Sequence, residues 1–311
     1  MHNLLIVGAG YMSKNYINFL KKKALSITVV GNKKNKLDFL ENKNFKIIYG
    51  GLEKFNLSDK KFNSAIVAVN EINSFAVTKK LIENKIKNIL IEKPGAKNFQ
   101  ELKKIYTLSK KYKCKVFIAY NRRFYESINI VKKICKSDGG ITSANFSFTE
   151  WIDKIKKLKF ENYLLKKWFF FNSLHVIDLV FYLIGDPKVI RPFSGKTDKK
   201  FTKLLFVGSG ITKKNIYFNY HSNWSSAGSW EINLYTKNKK IVLCPLEQIK
   251  IQEINSVKVN EIKFNKKLDK IYKPGIPNMI KSFLGNKKDL PLIDDYIKKF
   301  KLYQKISGFS F

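Results

Sequence analysis

Short apolar runs and amphipathic stretches alternate through the first 120 residues. Residues 4–7 are apolar and are followed by Gly8-Ala9-Gly10 and an amphipathic stretch over 12–23. Further β-branched or apolar runs lie at 27–30, 65–69, 89–91 and 115–119, with helical spacing at 72–83 and 99–112 between them. Apolar runs of four to six residues separated by helices predict a parallel sheet covered on both faces. This half reads as a doubly wound α/β domain over residues 1–120.

After Arg123 the pattern changes. A helix is predicted at 125–136, then a Gly139-Gly140 turn and longer alternating segments at 143–150, 204–207, 216–220 and 230–235. Lys237-Asn238-Lys239 reads as a hairpin turn between 232–235 and 241–243. A helix over 173–184 stops at Gly185-Asp186-Pro187, and another is expected at 278–284. The layout predicts an α+β domain over 121–311 with a mostly antiparallel open sheet. No internal repeat or low-complexity linker separates the two domains.

Composition narrows the function. The chain has 311 residues and a formal net charge of +36 from 60 basic and 24 acidic residues. Only Arg122, Arg123 and Arg191 are arginines. Nucleic-acid binders lean on arginine and cluster their charge, whereas these lysines are scattered through nearly every segment. A solvated lysine coat that attracts phosphates and sugar nucleotides is expected, without specific nucleic-acid binding. Cys114, Cys135 and Cys244 form no C-x-x-C pair, which speaks against a disulfide framework and a cysteine zinc site. No metal site is expected. The most apolar stretch, 169–185, is interrupted by Asn172, His175 and Asp178, so no membrane span is expected. No signal peptide precedes the first strand, and a cytoplasmic location is expected.

The residues with candidate chemistry cluster at strand ends. Gly8-Ala9-Gly10-Tyr11-Met12-Ser13 follows the first strand and opens the first helix, where a dinucleotide pyrophosphate would meet N–H groups and a positive dipole end. The third small residue of the usual G-x-G-x-x-G is Ser13. After the second strand come Gly31-Asn32-Lys33-Lys34, with no acid before Asp38. An acid there would bind the ribose of NAD, and a base the 2′-phosphate of NADP, so Asn32 and Lys33 tilt the expectation to NADP over NAD. Lys33 also reads as one more solvated lysine. Glu92-Lys93-Pro94 ends a strand on the side where open α/β sheets place ligands. An X-Pro bond can be cis. Lys93 there reads equally as a solvated strand-end lysine or as a group that stabilises negative charge on a substrate oxygen.

Taken together, the G-A-G-Y-M start, Glu92-Lys93-Pro94, Tyr120-Asn121-Arg122-Arg123-Phe124 and His175-Val176-Ile177-Asp178 resemble the glucose–fructose oxidoreductase / inositol dehydrogenase / MocA family. The motifs cover residues 1 to about 185; beyond them only the layout is similar. The resemblance implies an N-terminal Rossmann domain, a C-terminal open-sheet domain and an active site between them. It also implies NAD(P)-dependent oxidation or reduction of one carbon of a sugar, inositol or sugar nucleotide. Carried over by position, Gly8, Gly10, Tyr11, Met12, Asn32, Lys33, Asn70, Glu92 and Lys93 would bind cofactor. Lys93, Tyr120, Arg122, Asn172 and His175 would meet substrate, with Lys93 and His175 catalytic. His175 would be the general acid/base. By its own apolar surroundings, His175 reads as a structural core histidine. Arg122 reads equally as an anion clamp or as an interdomain salt bridge.

One position departs from the resemblance. Many relatives carry an aspartate four residues before the histidine, and Phe171 stands there. Asn172 would orient a hydroxyl but does not take up a proton. A catalytically inactive, nucleotide-binding regulatory member of the fold is therefore the alternative to an enzyme. The aromatic stretch 151–171 reads as a large-substrate pocket, as core, or as an oligomer contact. A homodimer or homotetramer is expected from an open sheet face.

Overall fold

The computed structural model describes residues 3–23, 25–32, 45–57, 61–158 and 160–311. It divides into two compact units, Met1–Asn121 with Asp269–Lys299, and Arg122–Leu268 with Phe300–Phe311.

In the first unit, the buried runs form parallel strands and the amphipathic stretches form helices. The elements are β1 (Asn3–Val7), α1 (Tyr11–Leu20), β2 (Ser26–Gly31), β3 (Lys46–Tyr49), β4 (Ser64–Val67), α2 (Glu71–Glu83), β5 (Asn88–Ile91), α3 (Phe99–Lys111) and β6 (Lys115–Ile118). The sheet order β3-β2-β1-β4-β5-β6 is the doubly wound Rossmann order, with the order reversing between β1 and β4. β1, β4 and β5 are almost completely buried, which is why they read as continuous apolar runs. Local signals set the helix starts. The Asn98 side chain accepts from Glu101 N at 2.9 Å, and the Glu101 carboxylate reaches back to Lys97 N at 3.0 Å.

Residues 269–299, placed in the second half by linear reading, pack in the first unit. Phe19 meets Tyr272 edge-on at 5.3 Å, Phe117 meets Phe283 at 6.1 Å, and the Asn121 amide donates to Pro274 O at 2.9 Å.

The second unit begins with a 3-10 turn (Asn121–Phe124) leading into α4 (Glu126–Ser137) and β7 (Ser143–Phe148). Two short helices follow, α5 (Ile152–Lys157) and α6 (Asn162–Lys166), then a π-helical turn (Phe169–Ser173) that runs into α7 (Leu174–Ile184). Strands β8 (Pro187–Gly195), β9 (Leu205–Thr212), β10 (Tyr217–Asn223), β11 (Trp230–Tyr235), β12 (Lys239–Leu243), β13 (Lys250–Glu253) and β14 (Val259–Glu261) complete the eight-stranded sheet. Its order is β14-β13-β12-β11-β7-β10-β9-β8, and only β7 and β10 pair in parallel. The sheet is mostly antiparallel, as the alternating pattern predicts. Helices α8 (Lys267–Ile271), α9 (Ile276–Leu284) and α10 (Ile293–Ser307) close the chain.

α7 is buried along nearly its whole length and packs on β7 and β11, which accounts for the most apolar stretch of the sequence. Among the described residues no helix is long and apolar enough to cross a membrane. The run Phe169-Phe170 is core: both rings are buried, Phe170 stacks on Phe300 at 5.5 Å, and Phe169 meets Phe148 at 5.7 Å.

Candidate functional site

The first unit holds the residues expected to meet a cofactor. Gly8 has φ +125° and its N–H donates to Val30 O at 2.8 Å. A Cβ at Gly8 would lie 2.3 Å from Ala68 O, so the turn admits only glycine. Gly10 caps α1 without a side-chain hydrogen bond, no acid stands in the first helical turn, and a Cβ at Gly10 would meet nothing within 4 Å. The first N–H groups of a helix have no partner within it, and here no side-chain cap meets them at the positive end of the helix dipole. Ser13 is fully buried, with its Oγ 3.4 Å from Ala68 O, and so does the packing work of the third small residue. These features fit the pyrophosphate of a dinucleotide.

The other expected cofactor residues of this unit are placed as follows. Tyr11 is 69% exposed, with the Lys273 ammonium 5.0 Å from its ring, and Met12 is half-buried. Asn32 is exposed at the end of β2, with its Oδ1 beside Gly51. Lys33 and Asp38 lie outside the described residues. Asn70 caps α2 and accepts from Asn73 N at 3.3 Å. Glu92 accepts a hydrogen bond from the Tyr16 phenol. Burial, and then the Glu92 charge, raise the Tyr16 phenol well above its ordinary value. Lys93 follows at the end of β5, half-buried, and the Lys93–Pro94 bond is cis. Tyr120 is fully buried in the first unit, edge-on to Tyr296 at 5.9 Å.

The second unit brings Arg122, Asn172 and His175 together. The 3-10 turn sends its two consecutive arginines to α7, where His175 and Asp178 stand three residues apart on neighbouring positions of one face. Arg123 grips Asp178 twice, Nε to Oδ2 at 2.7 Å and Nη2 to Oδ1 at 2.5 Å. The Arg122 Nη1 lies 3.1 Å from His175 Nε2, and its guanidinium sits 5.5 Å from the Trp230 ring centroid. A guanidinium only donates, so Nε2 accepts and the neutral ring carries its proton on Nδ1.

Arg122 and Asn172 line a cavity of about 470 Å³ walled by Trp151, Trp168 and Trp230. Its size and largely apolar wall, with few polar groups, are those of a small-molecule site. Phe171 turns instead to Phe311, with ring centroids 5.9 Å apart.

Glu150, also on the cavity wall, is the residue that sequence reasoning misses. It is 5% exposed and accepts from Ser173 Oγ at 2.7 Å, Asn172 Nδ2 at 2.9 Å and Trp230 Nε1 at 3.3 Å. Burial pushes its carboxyl above the usual glutamate range, partly offset by these hydrogen bonds. The one available signal was an acid ending the alternating 143–150 run. Its partners lie 22, 23 and 80 residues away. No cluster of His, Cys, Asp or Glu among the described residues would hold a metal ion.

Residues 2–120 match the model of an oxidoreductase family with an NAD-binding Rossmann fold, GFO_IDH_MocA. No curated protein matches the chain. Among solved structures, an Agrobacterium radiobacter oxidoreductase in complex with NAD+, L-tartaric acid and magnesium is similar over 97% of this chain and 94% of its own, with TM-score 0.77 and 14% identity. UDP-N-acetylglucosamine 3-dehydrogenase GnnA from Acidithiobacillus ferrooxidans is similar over 99% and 97%, with TM-score 0.74 and 12% identity. The WlbA dehydrogenase from Chromobacterium violaceum, in complex with NADH and UDP-GlcNAcA, covers 98% and 92% with TM-score 0.71 and 15% identity. At these identities the likeness shows the fold.

Proposed function

We propose that this chain, whose residues 2–120 match the model of an oxidoreductase family with an NAD-binding Rossmann fold, is an NAD(P)-dependent dehydrogenase or reductase of a CH–OH carbon in a sugar-type substrate. The observation that carries the reading is the turn from Gly8 to Ser13. Its glycine geometry and the helix end uncapped by any side chain suit a dinucleotide phosphate. A sugar nucleotide is the preferred substrate class. The printed substrates of two similar structures, the aromatic cavity and the +36 charge support it.

A bound nicotinamide cofactor, its pyrophosphate held at the turn from Gly8 to Ser13, would supply hydride acceptance or donation at the carbinol carbon. The carbinol then loses or gains a proton, and His175 Nε2 is the base we assign to it, with Nδ1 keeping the ring's own proton. Arg122, 3.1 Å from that nitrogen, is assigned to an anionic or hydroxyl oxygen of the substrate. Lys93 stabilises negative charge on the reacting oxygen. Asn172 orients a substrate hydroxyl. The carboxylate of Glu150 beside Asn172 supports activity over the inactive alternative that Phe171 raised.

A fluorescence titration with NADPH and with NADH at near-physiological salt tests the reading. Saturable binding is expected, and the stronger ligand decides whether residues after β2 read a 2′-phosphate. Binding of neither refutes the proposal. Lys93→Met should retain cofactor binding and nearly abolish turnover of UDP-N-acetylglucosamine or a related sugar nucleotide. Wild-type turnover in that variant would remove Lys93 from the mechanism.

A further inference from the structure

Glu150 is a buried carboxylate to which the hydride-transfer reading assigns no step. Four hydrogen bonds from three side chains converge on it. Oε1 accepts from Ser173 Oγ at 2.7 Å, from Asn172 Nδ2 at 3.1 Å and from Trp230 Nε1 at 3.3 Å, while Oε2 accepts from Asn172 Nδ2 at 2.9 Å. The donors come from the π-helical turn before α7 and from β11, so the fold builds this cluster rather than any local motif. An ionised carboxylate only accepts hydrogen bonds. The Asn172 amide must therefore turn its Nδ2 toward Glu150. Asn172 also lines the cavity, and with Nδ2 given to Glu150, Oδ1 is the acceptor the amide has left.

We propose that Glu150 is a positioning residue of this cavity: it holds Asn172 with the carbonyl oxygen as the group offered to the substrate, so that the wall receives a hydroxyl or amide N–H and disfavours a carboxylate. Glu150 thus brings from the end of β7 a carboxylate that Phe171 does not carry. The inference rests on the cavity being the substrate side of the proposed enzyme. Among the described residues, the charged or titratable groups around it include Arg122 of the 3-10 turn, Tyr125, Asp153 and Lys154 of α5, His175 of α7, and Cys244 and Glu247 after β12. Asp153, His175 and Glu247 are separated from Glu150 by substitution.

The test follows the intrinsic tryptophan emission of the full chain between pH 4 and 8, because Trp151, Trp168 and Trp230 border the cavity. A transition is expected above the ordinary glutamate range, since burial raises this carboxyl. Glu150→Gln should remove the transition, whereas Asp153→Asn, His175→Asn and Glu247→Gln should retain it. Asn172→Asp should move it upward by about one pH unit or more, because two carboxyls within hydrogen-bond reach do not both ionise. Glu150→Asp, which keeps the charge, should keep the transition and serves if the glutamine variant unfolds. A transition that survives Glu150→Gln in a folded protein, or one that Asn172→Asp leaves in place, overturns the proposal. In equilibrium dialysis at pH 7.5, Glu150→Gln should bind UDP-N-acetylglucosamine about fivefold more weakly than wild type, as for one lost hydrogen bond. Equal binding by both proteins, or none by wild type, overturns the offered acceptor. Titrating the same proteins with NADPH keeps the two claims apart. Normal NADPH binding with a failed Glu150 test sinks this inference alone, while absent NADPH binding sinks the proposed reaction and leaves the pH signature to decide the role of Glu150.

Discussion

Replacing Arg123 by methionine should be among the most damaging single changes in the second unit. The Arg123 side chain is 8% exposed and that of Asp178 2%, and two hydrogen bonds of 2.7 and 2.5 Å join them. Removing one partner of such a pair leaves the other charge buried without compensation, at a cost of about 3–5 kcal/mol. The guanidinium also lies 4.8 Å from the Tyr182 ring, so some packing goes with it. For a unit of this size, about 2–4 °C is lost per kcal/mol, which places the expected fall in Tm at roughly 6–20 °C. The assay is built into the chain, since all four tryptophans, Trp151, Trp168, Trp224 and Trp230, belong to the second unit. Tryptophan emission during urea or thermal unfolding therefore follows this unit alone. The double variant Arg123→Met with Asp178→Leu should recover most of the loss, because replacing both partners by apolar groups removes the uncompensated charge. A single-variant cost below about 1 kcal/mol would place the pair among exposed ion pairs and refute the reasoning.

Gly8→Ala should abolish NADPH binding, since the new Cβ would meet Ala68 O at 2.3 Å and the turn must rearrange; unchanged affinity in the titration would remove this turn from the cofactor site. Asp138 accepts from Thr236 Oγ1 at 2.6 Å, Asn238 N at 2.9 Å and Asn238 Nδ2 at 2.7 Å, and these bonds, the Thr236 hydroxyl foremost, hold its carboxyl down to about 2. A depressed carboxyl stabilises the fold above its ordinary pKa, and the contribution is lost as pH falls through the folded value. The stability gap between wild type and Asp138→Asn should therefore be constant near neutral pH and close between about pH 4 and pH 2; a gap independent of pH in urea unfolding would contradict this.

Much of this protein was legible along the chain because the deciding signals are local. Buried parallel strands show as unbroken apolar runs, and a helix stop as Gly185. The turn from Gly8 to Ser13 was legible for the same reason: its chemistry resides in backbone geometry that glycine alone permits, within one strand–turn–helix unit. His175 and Arg122 were suggested by motif order, but their hydrogen bond spans 53 residues and has no linear trace.

Other features depend wholly on how distant segments meet. Residues 269–299 return to the first unit through ring contacts and backbone bonds that no periodicity announces. Glu150 looked like the charged end of a strand. Folding surrounds it with Ser173, Asn172 and Trp230, strips it of water and raises its carboxyl. Desolvation and hydrogen-bond geometry are properties of three-dimensional neighbours, so the sequence determined which residues were present, and the tertiary structure decided which of them became a site.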